Sequence, residues 1–295
     1  SSSNLSFIQK TQQYDQYWVI PNYSNDIHFY KSLCREDAKV YTAPYVWNND
    51  IINIYTKNID ISWVDNTSSN TKWIVIAEAN MQITKNCLMP LLICNELYKS
   101  YQDIKVMVLC KPETKAFVKF CKNLKIHQDN KVEYYPRIQF YEVLKQLKEK
   151  QYDVYILSHH KDNPLNFLHL ETLYLNYPLI HNCERYKNAG YYYKTIQQAT
   201  LRLKEAMVVH SKNINNYNIE TQKVLYTFSP KNPTNQFIYK RYLDEIMENK
   251  TTKIINKNIK INIEKKQKIK LVVIPTHGFG NRIKMLASSY ILADF

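Results

Sequence analysis

NFLHLETLYLNYPLIHN, residues 166–182, combines a helical pattern with a short apolar strand. Its first half carries apolar residues over a broad helical face, with one carboxylate, Glu171, near the middle. After this helix, Pro178 opens a segment, PLIHN, that is too short for anything but a buried strand. A helix that leads into a buried strand with a polar end is typical of an open α/β sheet, in which ligands bind at the carboxyl ends of the strands.

The same alternation of strands and helices extends to both sides of this stretch. Strands alternating with helices of 10–15 residues predict parallel βαβ units, and hence an α/β fold with a doubly wound parallel sheet covered by helices on both faces. The further predicted strands are 73–77, 104–110, 131–135 and 152–158, and the further predicted helices are 86–100, 112–124, 138–150 and 195–210.

Residues 1–70 do not repeat this pattern. They contain two strand candidates, 16–21 and 38–47, with a short helix between them, which is too little for an independent domain of this type. We therefore predict that they form the closing segment of a truncated N-terminal domain, and that residues 71–250, which end in a helix over 229–250, form the main domain.

The C-terminal part of the sequence predicts two further pieces. Residues 251–270 are rich in Lys, Asn and Ile and contain neither Gly nor Pro, which favours a linker or an edge strand. Residues 271–295 show a strand, a turn with Gly278 and Gly280, and a helix. We interpret them as the opening βα unit of a further domain whose remainder is absent.

The composition is that of a globular protein, with 45% hydrophobic and 22% charged residues. No stretch approaches the roughly 20 apolar residues that cross a bilayer, and the first residues lack the apolar block of a signal peptide. The six cysteines form no CxxC pair, which favours reduced core thiols. These features predict a cytoplasmic protein without a transmembrane segment.

The formal net charge of +14 would suit nucleic acid, an anionic membrane surface or a phosphorylated small substrate. However, the chain has 25 Tyr and only 3 Gly, and it is crowded with Lys, Asn and Ile, a profile that AT-rich coding produces without selection for a partner. The lysines are also scattered among acidic residues, and no nucleic-acid-binding motif accompanies them. We therefore do not predict nucleic acid as a partner.

Polar residues follow the predicted strands where each strand ends. Helix N-termini with nearby Lys and Arg bind phosphate through free N–H groups and the helix dipole, so that this edge of the sheet suits a nucleotide diphosphate. Gly190 stands out because glycine is scarce, which indicates a backbone that needs a positive φ or a close approach to a ligand. The candidate ligand-binding residues are Glu78, Asn80, Lys85, Arg137, His159, Asn163, Asn166, Glu171, His181, Asn182 and Gly190.

Two of the candidate roles have simpler alternatives that involve no ligand or metal. A lone helix carboxylate such as Glu171 is more often solvated than a ribose ligand, although its place just before a sheet strand favours a ligand. The histidines could be taken for metal ligands, but none lies in an HExxH or comparable arrangement, and we predict no metal site and no cofactor. The histidines considered are His159, His160, His169 and His181.

Two stretches, EANMQITKNCLMPLLICNELY (78–98) and DNPLNFLHLETLYLNYPLIHNCERYKNAGYYY (162–193), resemble a family of glycosyltransferase-like proteins of unknown function from bacteria and giant DNA viruses. The resemblance covers roughly residues 14–248. It implies the GT-B class, in which two Rossmann-like domains face each other across a cleft and the second binds a nucleotide sugar. The chain would then transfer a sugar from that donor to a glycan or another hydroxyl acceptor.

The resemblance also implies roles for individual residues. In GT-B enzymes with a Glu-x7-Glu pattern, the second Glu contacts ribose and the first contacts the donor sugar. Glu171 fits the second position, whereas Asn163 stands at the first, which leaves the retaining mechanism of those enzymes unsupported. Lys85, Arg137 and helix N–H groups would stabilise the leaving diphosphate in place of a metal. The residue that positions the acceptor would come from the first domain, so we expect little or no turnover by the chain alone.

The C-terminal motif HGFGNRIKMLASSY is similar to the first βα motif of fucosyltransferase-like enzymes, in which a Gly-x-Gly-Asn-Arg turn faces a GDP-sugar. The matching residues are Gly278, Gly280, Asn281 and Arg282. This similarity predicts a second transferase domain in the same polypeptide.

Three other functions compete with the transferase. A nucleotide-sugar epimerase shares the fold and the ligand but needs no acceptor. A non-catalytic nucleotide- or sugar-binding module would serve a neighbouring transferase domain. A basic nucleic-acid-binding protein would show an affinity that falls steeply with salt.

Overall fold

The computed structural model describes residues 14–57, 59–66, 69, 71–78, 80, 84–112, 114–161, 166–256 and 272–273, with side chains up to residue 248. The chain divides after Asn48 and again after Leu225. The two segments outside these divisions form one compact unit, and Asn49–Leu225 form the other. No helix in the described residues is long and apolar enough to cross a membrane.

Nine strands and ten α-helices form within the described residues. The strands are β1 (Gln16–Val19), β2 (Lys39–Thr42), β3 (Lys72–Ile76), β4 (Ile104–Val108), β5 (Val132–Tyr134), β6 (Asp153–Leu157), β7 (Leu179–His181), β8 (Tyr191–Tyr192) and β9 (Val272–Val273). The helices are α1 (Ile27–Leu33), α2 (Asp50–Thr56), α3 (Leu88–Tyr98), α4 (Lys115–Lys122), α5 (Lys125–Gln128), α6 (Phe140–Glu149), α7 (Phe167–Tyr174), α8 (Ile196–Val209), α9 (Ile214–Phe228) and α10 (Pro233–Asn256).

The larger unit is built on a six-stranded sheet with the order β5-β4-β3-β6-β7-β8, and every pairing in it is parallel. Ile74 in β3 lies opposite Val106 in β4 and Tyr155 in β6, which fixes the register at the centre. The chain winds outward from β3 in one direction and then returns to β6 to wind outward in the other. This order is that of a doubly wound α/β sheet, so the predicted fold class is confirmed.

The central strands are apolar on both faces, as parallel strands between two helical layers must be. Ile74, Val75 and Ile76 of β3 are completely buried. One face is covered by α3 and α8, which pack against each other. The sequence signal for these strands was strong because burial on both faces leaves almost no polar position inside them.

The smaller unit contains a three-stranded parallel sheet with the order β2-β1-β9. Trp18 of β1 packs in a buried cluster with Val46, Tyr239 and Tyr242. The Tyr239 hydroxyl donates a hydrogen bond to the Pro44 carbonyl at 2.7 Å, which ties α10 to the segment after β2. The two strands and the short helix predicted in this region are present as β1, α1 and β2.

The structure corrects several boundaries. The predicted helix 112–124 is the shorter helix α4, and a further short helix, α5, follows it beyond residue 124. Helix α10 continues to Asn256, so that residues 251–256 are helical rather than a linker or an edge strand. The patterns did not predict α2, α5, α9 or β8. The rest of the predicted linker and the motif with Gly278, Gly280, Asn281 and Arg282 lie outside the described residues.

Candidate functional site

The candidate site lies where the strand order of the larger sheet reverses, between β3 and β6. We call this place the switch point. In open α/β sheets, ligands bind in the crevice at the carboxyl ends of the strands beside such a point. Glu78 follows β3 there, and Ser158, His159 and His160 follow β6.

Glu78 is the centre of a buried polar cluster. Its carboxylate accepts hydrogen bonds from Ser158 Oγ at 2.5 Å and from His160 Nε2 at 3.0 Å. The three residues are only 3%, 1% and 5% exposed, respectively. Burial by itself raises the pKa of Glu78, but the charge and hydrogen bond of His160, the Ser158 hydroxyl and the charge of Lys85 outweigh it and lower that pKa. Glu78 is therefore a buried anion held by its neighbours.

A chain of hydrogen bonds leads from Glu78 into α7. Because Ser158 gives its proton to Glu78, its oxygen accepts from His169 Nε2 at 2.7 Å. His169 Nδ1 then accepts from the Tyr186 hydroxyl, also at 2.7 Å. Burial lowers the pKa of His169 well below its usual value, and the neighbouring His160, His181 and Lys85 lower it further, so His169 is neutral.

Two loops meet over this cluster. The backbone N–H of Lys161, after β6, donates to the Thr84 carbonyl, before α3, at 3.1 Å, and Lys85 forms an isolated β-bridge with His160. Asn182, after β7, accepts from the His160 N–H at 2.9 Å and donates to the His160 carbonyl at 2.8 Å. The position of His160 beside Glu78 is thus fixed from two neighbouring strands.

Lys85 is half-buried beside this cluster. Burial lowers the pKa of Lys85, while the negative charge of Glu78 opposes that shift. Lys85 lies two residues before Cys87, the N-cap of α3, where the helix dipole adds positive potential. A cation in this position can bind a phosphate group.

Several predicted ligand residues are engaged in holding the backbone. Asn80, at φ +54°, donates to the Cys110 carbonyl and accepts from the Cys87 N–H at 2.6 Å. Asn166 is the N-cap of α7 and accepts from the Leu168 N–H at 3.3 Å. These amides are fixed parts of the scaffold around the site.

His181 and Gly190 form a second buried contact at this edge of the sheet. His181 Nε2 donates to the Ala189 carbonyl at 2.8 Å, and Nδ1 accepts from the Cys183 N–H at 3.2 Å. Burial lowers the pKa of His181 to about 4, although the Ala189 hydrogen bond opposes the shift. Gly190 has the positive φ that the sequence predicted, +70°, and a Cβ there would lie 2.8 Å from the Leu179 carbonyl oxygen.

The structure does not bring Glu171 and Arg137 into the cluster. Glu171 is two residues from His169 in α7, roughly 200° around the helix, and it therefore faces another side. Its carboxylate is 1% exposed and hydrogen-bonded with Tyr141 of α6. Arg137 is exposed and lies in the loop before α6, two residues before the N-cap of that helix. Asn163 lies outside the described residues.

Four members of the cluster were not among the predicted ligand residues. Ser158 had a signal, since it ends the predicted strand 152–158. His160 and His169 were considered only as metal ligands, and Tyr186 gave no signal. Among the side chains that the structure describes, no three of His, Cys, Asp or Glu lie close enough to hold a metal ion. The polar groups of the buried cluster are hydrogen-bonded to one another. The groups that a ligand can reach are the ammonium group of the half-buried Lys85 and the imidazole of the half-buried His159.

The fold is similar to that of solved glycosyltransferases. S. aureus TarM aligns with a TM-score of 0.50 at 12% identity, over 83% of this chain and 46% of TarM. This likeness shows the Rossmann-like α/β fold of GT-B glycosyltransferases. The pneumococcal O-GlcNAc transferase GtfA, solved with UDP and GlcNAc, aligns with a TM-score of 0.48 at 11% identity, over 79% of this chain and 45% of GtfA.

A third structure, WaaG, a glycosyltransferase involved in lipopolysaccharide biosynthesis, aligns with a TM-score of 0.47 at 10% identity, over 76% of this chain and 62% of WaaG. The chain spans about half the length of TarM and GtfA. No curated protein matches the sequence significantly. The model of the family described as "Protein of unknown function (DUF2827)" matches residues 2–243, most of the chain, and the chain therefore belongs to this family.

Proposed function

We propose that this chain binds a nucleotide-diphosphate sugar at the switch point and serves the transfer of its sugar to a hydroxyl acceptor, as a GT-B glycosyltransferase does. The observation that carries the proposal is the half-buried Lys85 beside the buried Glu78, at the point where the strand order reverses. The Rossmann-like fold supports it, because such sheets bind nucleotides at this point.

In the proposed reaction, an acceptor hydroxyl attacks the anomeric carbon, and the bond from that carbon to the diphosphate breaks. Negative charge then develops on the leaving diphosphate. Lys85 and the positive end of the α3 dipole would stabilise that charge electrostatically, with Arg137 as a second cation from the loop before α6. The proposal assigns this task to protein groups and involves no metal cofactor.

Glu171 remains the proposed ribose ligand, but its carboxylate is hydrogen-bonded with Tyr141. Ribose binding therefore requires Tyr141 to release the carboxylate. Tyr141→Phe should then strengthen nucleotide binding, whereas Glu171→Gln should weaken it. If Tyr141→Phe leaves the affinity unchanged while Glu171→Gln only destabilises the fold, Glu171 is a structural residue.

The first test is a thermal-unfolding titration of the chain with UDP, GDP, dTDP and ADP. A nucleotide at a hundred times its dissociation constant should add about 2.7 kcal/mol to the unfolding free energy. We expect one of the four to stabilise the wild type and the Lys119→Ala variant, which alters an exposed lysine of α4, but to act much more weakly on Lys85→Ala. A wild type that none of the four nucleotides stabilises would contradict the proposal.

A second candidate function is a non-catalytic nucleotide-sugar-binding module. One observation favours it: both carboxylate oxygens of Glu78 are already hydrogen-bonded. Incubation of the chain with UDP-glucose or GDP-mannose, with and without a glycan acceptor, tests these functions. Transfer contradicts the non-catalytic module, and conversion of the donor sugar without an acceptor indicates an epimerase. Binding without turnover is expected both of the module and of a transferase whose acceptor-positioning residue lies in another domain.

The proposal also covers a neighbouring domain of the same polypeptide and the cellular location of the protein. We propose that the motif with Gly278, Gly280, Asn281 and Arg282, in the segment that follows β9, belongs to a second transferase domain that binds a GDP-sugar. All six cysteines are free thiols, which supports a reducing, cytoplasmic location.

A further inference from the structure

His159 differs from its neighbours in the candidate site. Ser158 and His160 are 1% and 5% exposed, whereas His159 between them is half-buried. His159 Nδ1 lies 3.1 Å from the Tyr193 hydroxyl, and no described residue makes a hydrogen bond to Nε2. The imidazole therefore has one nitrogen fixed by the protein and one that a ligand can use.

The hydrogen bonds around Tyr193 determine which nitrogen of His159 carries the proton. Tyr193 donates its only hydroxyl proton to the Ser158 carbonyl at 2.9 Å. A buried carbonyl without this donor would cost free energy. The Tyr193 oxygen can then only accept, so His159 Nδ1 must be the donor. In a neutral imidazole with Nδ1 protonated, Nε2 carries a lone pair and accepts hydrogen bonds.

The titration behaviour of both residues is consistent with this arrangement. Burial, and the positive charge of His160, lower the pKa of His159, although Glu78 opposes the shift, so the ring is neutral at pH 7. Burial, and the negative charge of Glu78, raise the pKa of Tyr193 well above its usual value, so its hydroxyl keeps its proton.

We infer that His159 Nε2 accepts a hydrogen bond from a hydroxyl of a sugar ring, and that His159 is a specificity-determining residue of the proposed donor site. A lone pair repels phosphate oxygens, which carry no proton, but it is complementary to a ribose or hexose hydroxyl. The site is thereby divided, with the phosphates on the side of Lys85 and a sugar ring at His159. This inference rests on the proposed function, since it assigns a part of that ligand to one residue.

Tyr193 is a positioning residue in this inference. It does not touch the ligand, but its oxygen holds the proton of His159 on Nδ1. Tyr193→Phe removes that acceptor, so the proton of His159 is no longer held on Nδ1. The affinity for the sugar should then fall, although no ligand contact is lost. Tyr192→Phe is the matched control, because the Tyr192 hydroxyl donates to Glu184 on the exposed surface.

The tautomer can be observed directly. In the full chain labelled with ¹⁵N-histidine, a long-range ¹H–¹⁵N spectrum at pH 7.5 should show His159 with Nδ1 protonated and Nε2 unprotonated, the signal being assigned by its loss in His159→Gln. Tyr193→Phe should change the tautomer, and Tyr192→Phe should not. A protonated Nε2 in the wild type would overturn the inference.

Calorimetric titration then tests the ligand contact. The probes are UDP-glucose, UDP and 2′,3′-dideoxy-UDP, with the corresponding series of GDP-mannose, GDP and 2′,3′-dideoxy-GDP. His159→Ala should weaken binding of the recognised ligand about tenfold, as expected for one lost neutral hydrogen bond. His159→Gln, whose amide oxygen can replace Nε2 as an acceptor, should largely restore it.

The probes separate the two sources of the hydroxyl. A loss seen with UDP or GDP, but not with its dideoxy analogue, assigns the contact to ribose, and a loss confined to the nucleotide sugars assigns it to the transferred sugar. Equal affinity of wild type and His159→Ala for a nucleotide sugar overturns this inference and leaves the proposed function intact. If no probe binds the wild type, the proposed function and this inference both fail.

Discussion

Gly190 is a residue at which the backbone explains the choice of amino acid. At φ +70°, an added Cβ would lie 2.8 Å from the Leu179 carbonyl oxygen and 3.0 Å from His181 Nε2. The conformation alone costs a non-glycine residue about 1–3 kcal/mol. We expect Gly190→Ala to lower the unfolding free energy in urea by at least that amount.

The matched control is Asn188→Ala, which alters an exposed residue of the same turn and should change stability by less than about 0.5 kcal/mol. If Gly190→Ala is as stable as this control, the positive φ and the close contact do not decide the choice of glycine at this position.

At the scale of single residues, the sequence predicted backbone conformation better than it predicted side-chain contacts. Gly190 could be singled out from the sequence because the chain has only 3 glycines. A glycine in such a chain indicates a position that needs a positive φ or a close approach. Asn182 was predicted as a ligand residue, yet both ends of its amide bind the backbone of His160. A short polar side chain at the end of a strand can serve a ligand or a neighbouring loop, and only the fold decides between them.

At the scale of elements, three helices end in a left-handed turn of the same kind, without the glycine that is usual in it. Asn130, Gln151 and Asn176 have φ values of 55°, 55° and 60° after α5, α6 and α7. In each case the N–H of the next residue bonds five residues back, as Tyr152 does to Leu147 at 3.0 Å, which is the Schellman motif. Asparagine tolerates this left-handed conformation better than glutamine does.

Gln151→Gly should therefore stabilise the protein by about 1 kcal/mol, since it removes the cost of a left-handed side-chain-bearing residue at an exposed position. Urea unfolding measures the change. Lys150→Gly, one residue earlier in a right-handed helical conformation, should instead destabilise by about 0.5–1 kcal/mol. Equal effects of the two glycines would show that the left-handed conformation at position 151 carries no strain.

The strands were easier to predict than the helix boundaries, for a physical reason. A strand that is buried on both faces can be recognised from its own run of apolar residues. The residue at which a helix begins or ends can instead depend on a side chain far away in the sequence. After the predicted helix 112–124, the chain forms a separate short helix, α5, whose Ile126 is fully buried and donates its N–H to Asn95 of α3 at 3.1 Å. No periodicity within the segment encodes that contact.

At the scale of the whole molecule, the alternation of elements predicted the doubly wound sheet, because parallel strands can be joined only by crossovers. That the segments before Asn49 and after Leu225 share one compact unit is a feature of contacts far apart in the sequence. Tyr239 and Tyr242, which pack on Trp18, look in the sequence like residues of any amphipathic helix.

The larger unit buries several neutral histidines, and this makes its stability depend on pH. Burial lowers the pKa of His181 and of His210 to about 4, and that of His169 well below its usual value. An unfolded histidine binds a proton near pH 6.5. Between about pH 6.5 and 4 the unfolded chain therefore holds more protons than the folded chain, and the unfolding free energy must rise with pH.

We expect the stabilisation to be complete above pH 6.5 and to be lost as the pH falls towards 4, with a slope of up to about 1.4 kcal/mol per pH unit for each such histidine. Urea unfolding at pH 5, 6 and 7 measures it. His210→Asn should reduce the slope by close to the contribution of one proton, about 1.4 kcal/mol per pH unit. His28→Asn, at an exposed position, should leave the slope unchanged. Glu78 adds a loss only at lower pH, because its lowered pKa keeps it ionised until below about 4.5. An unfolding free energy that is flat from pH 5 to 7 would mean that the buried histidines bind protons in the folded protein as readily as in the unfolded chain.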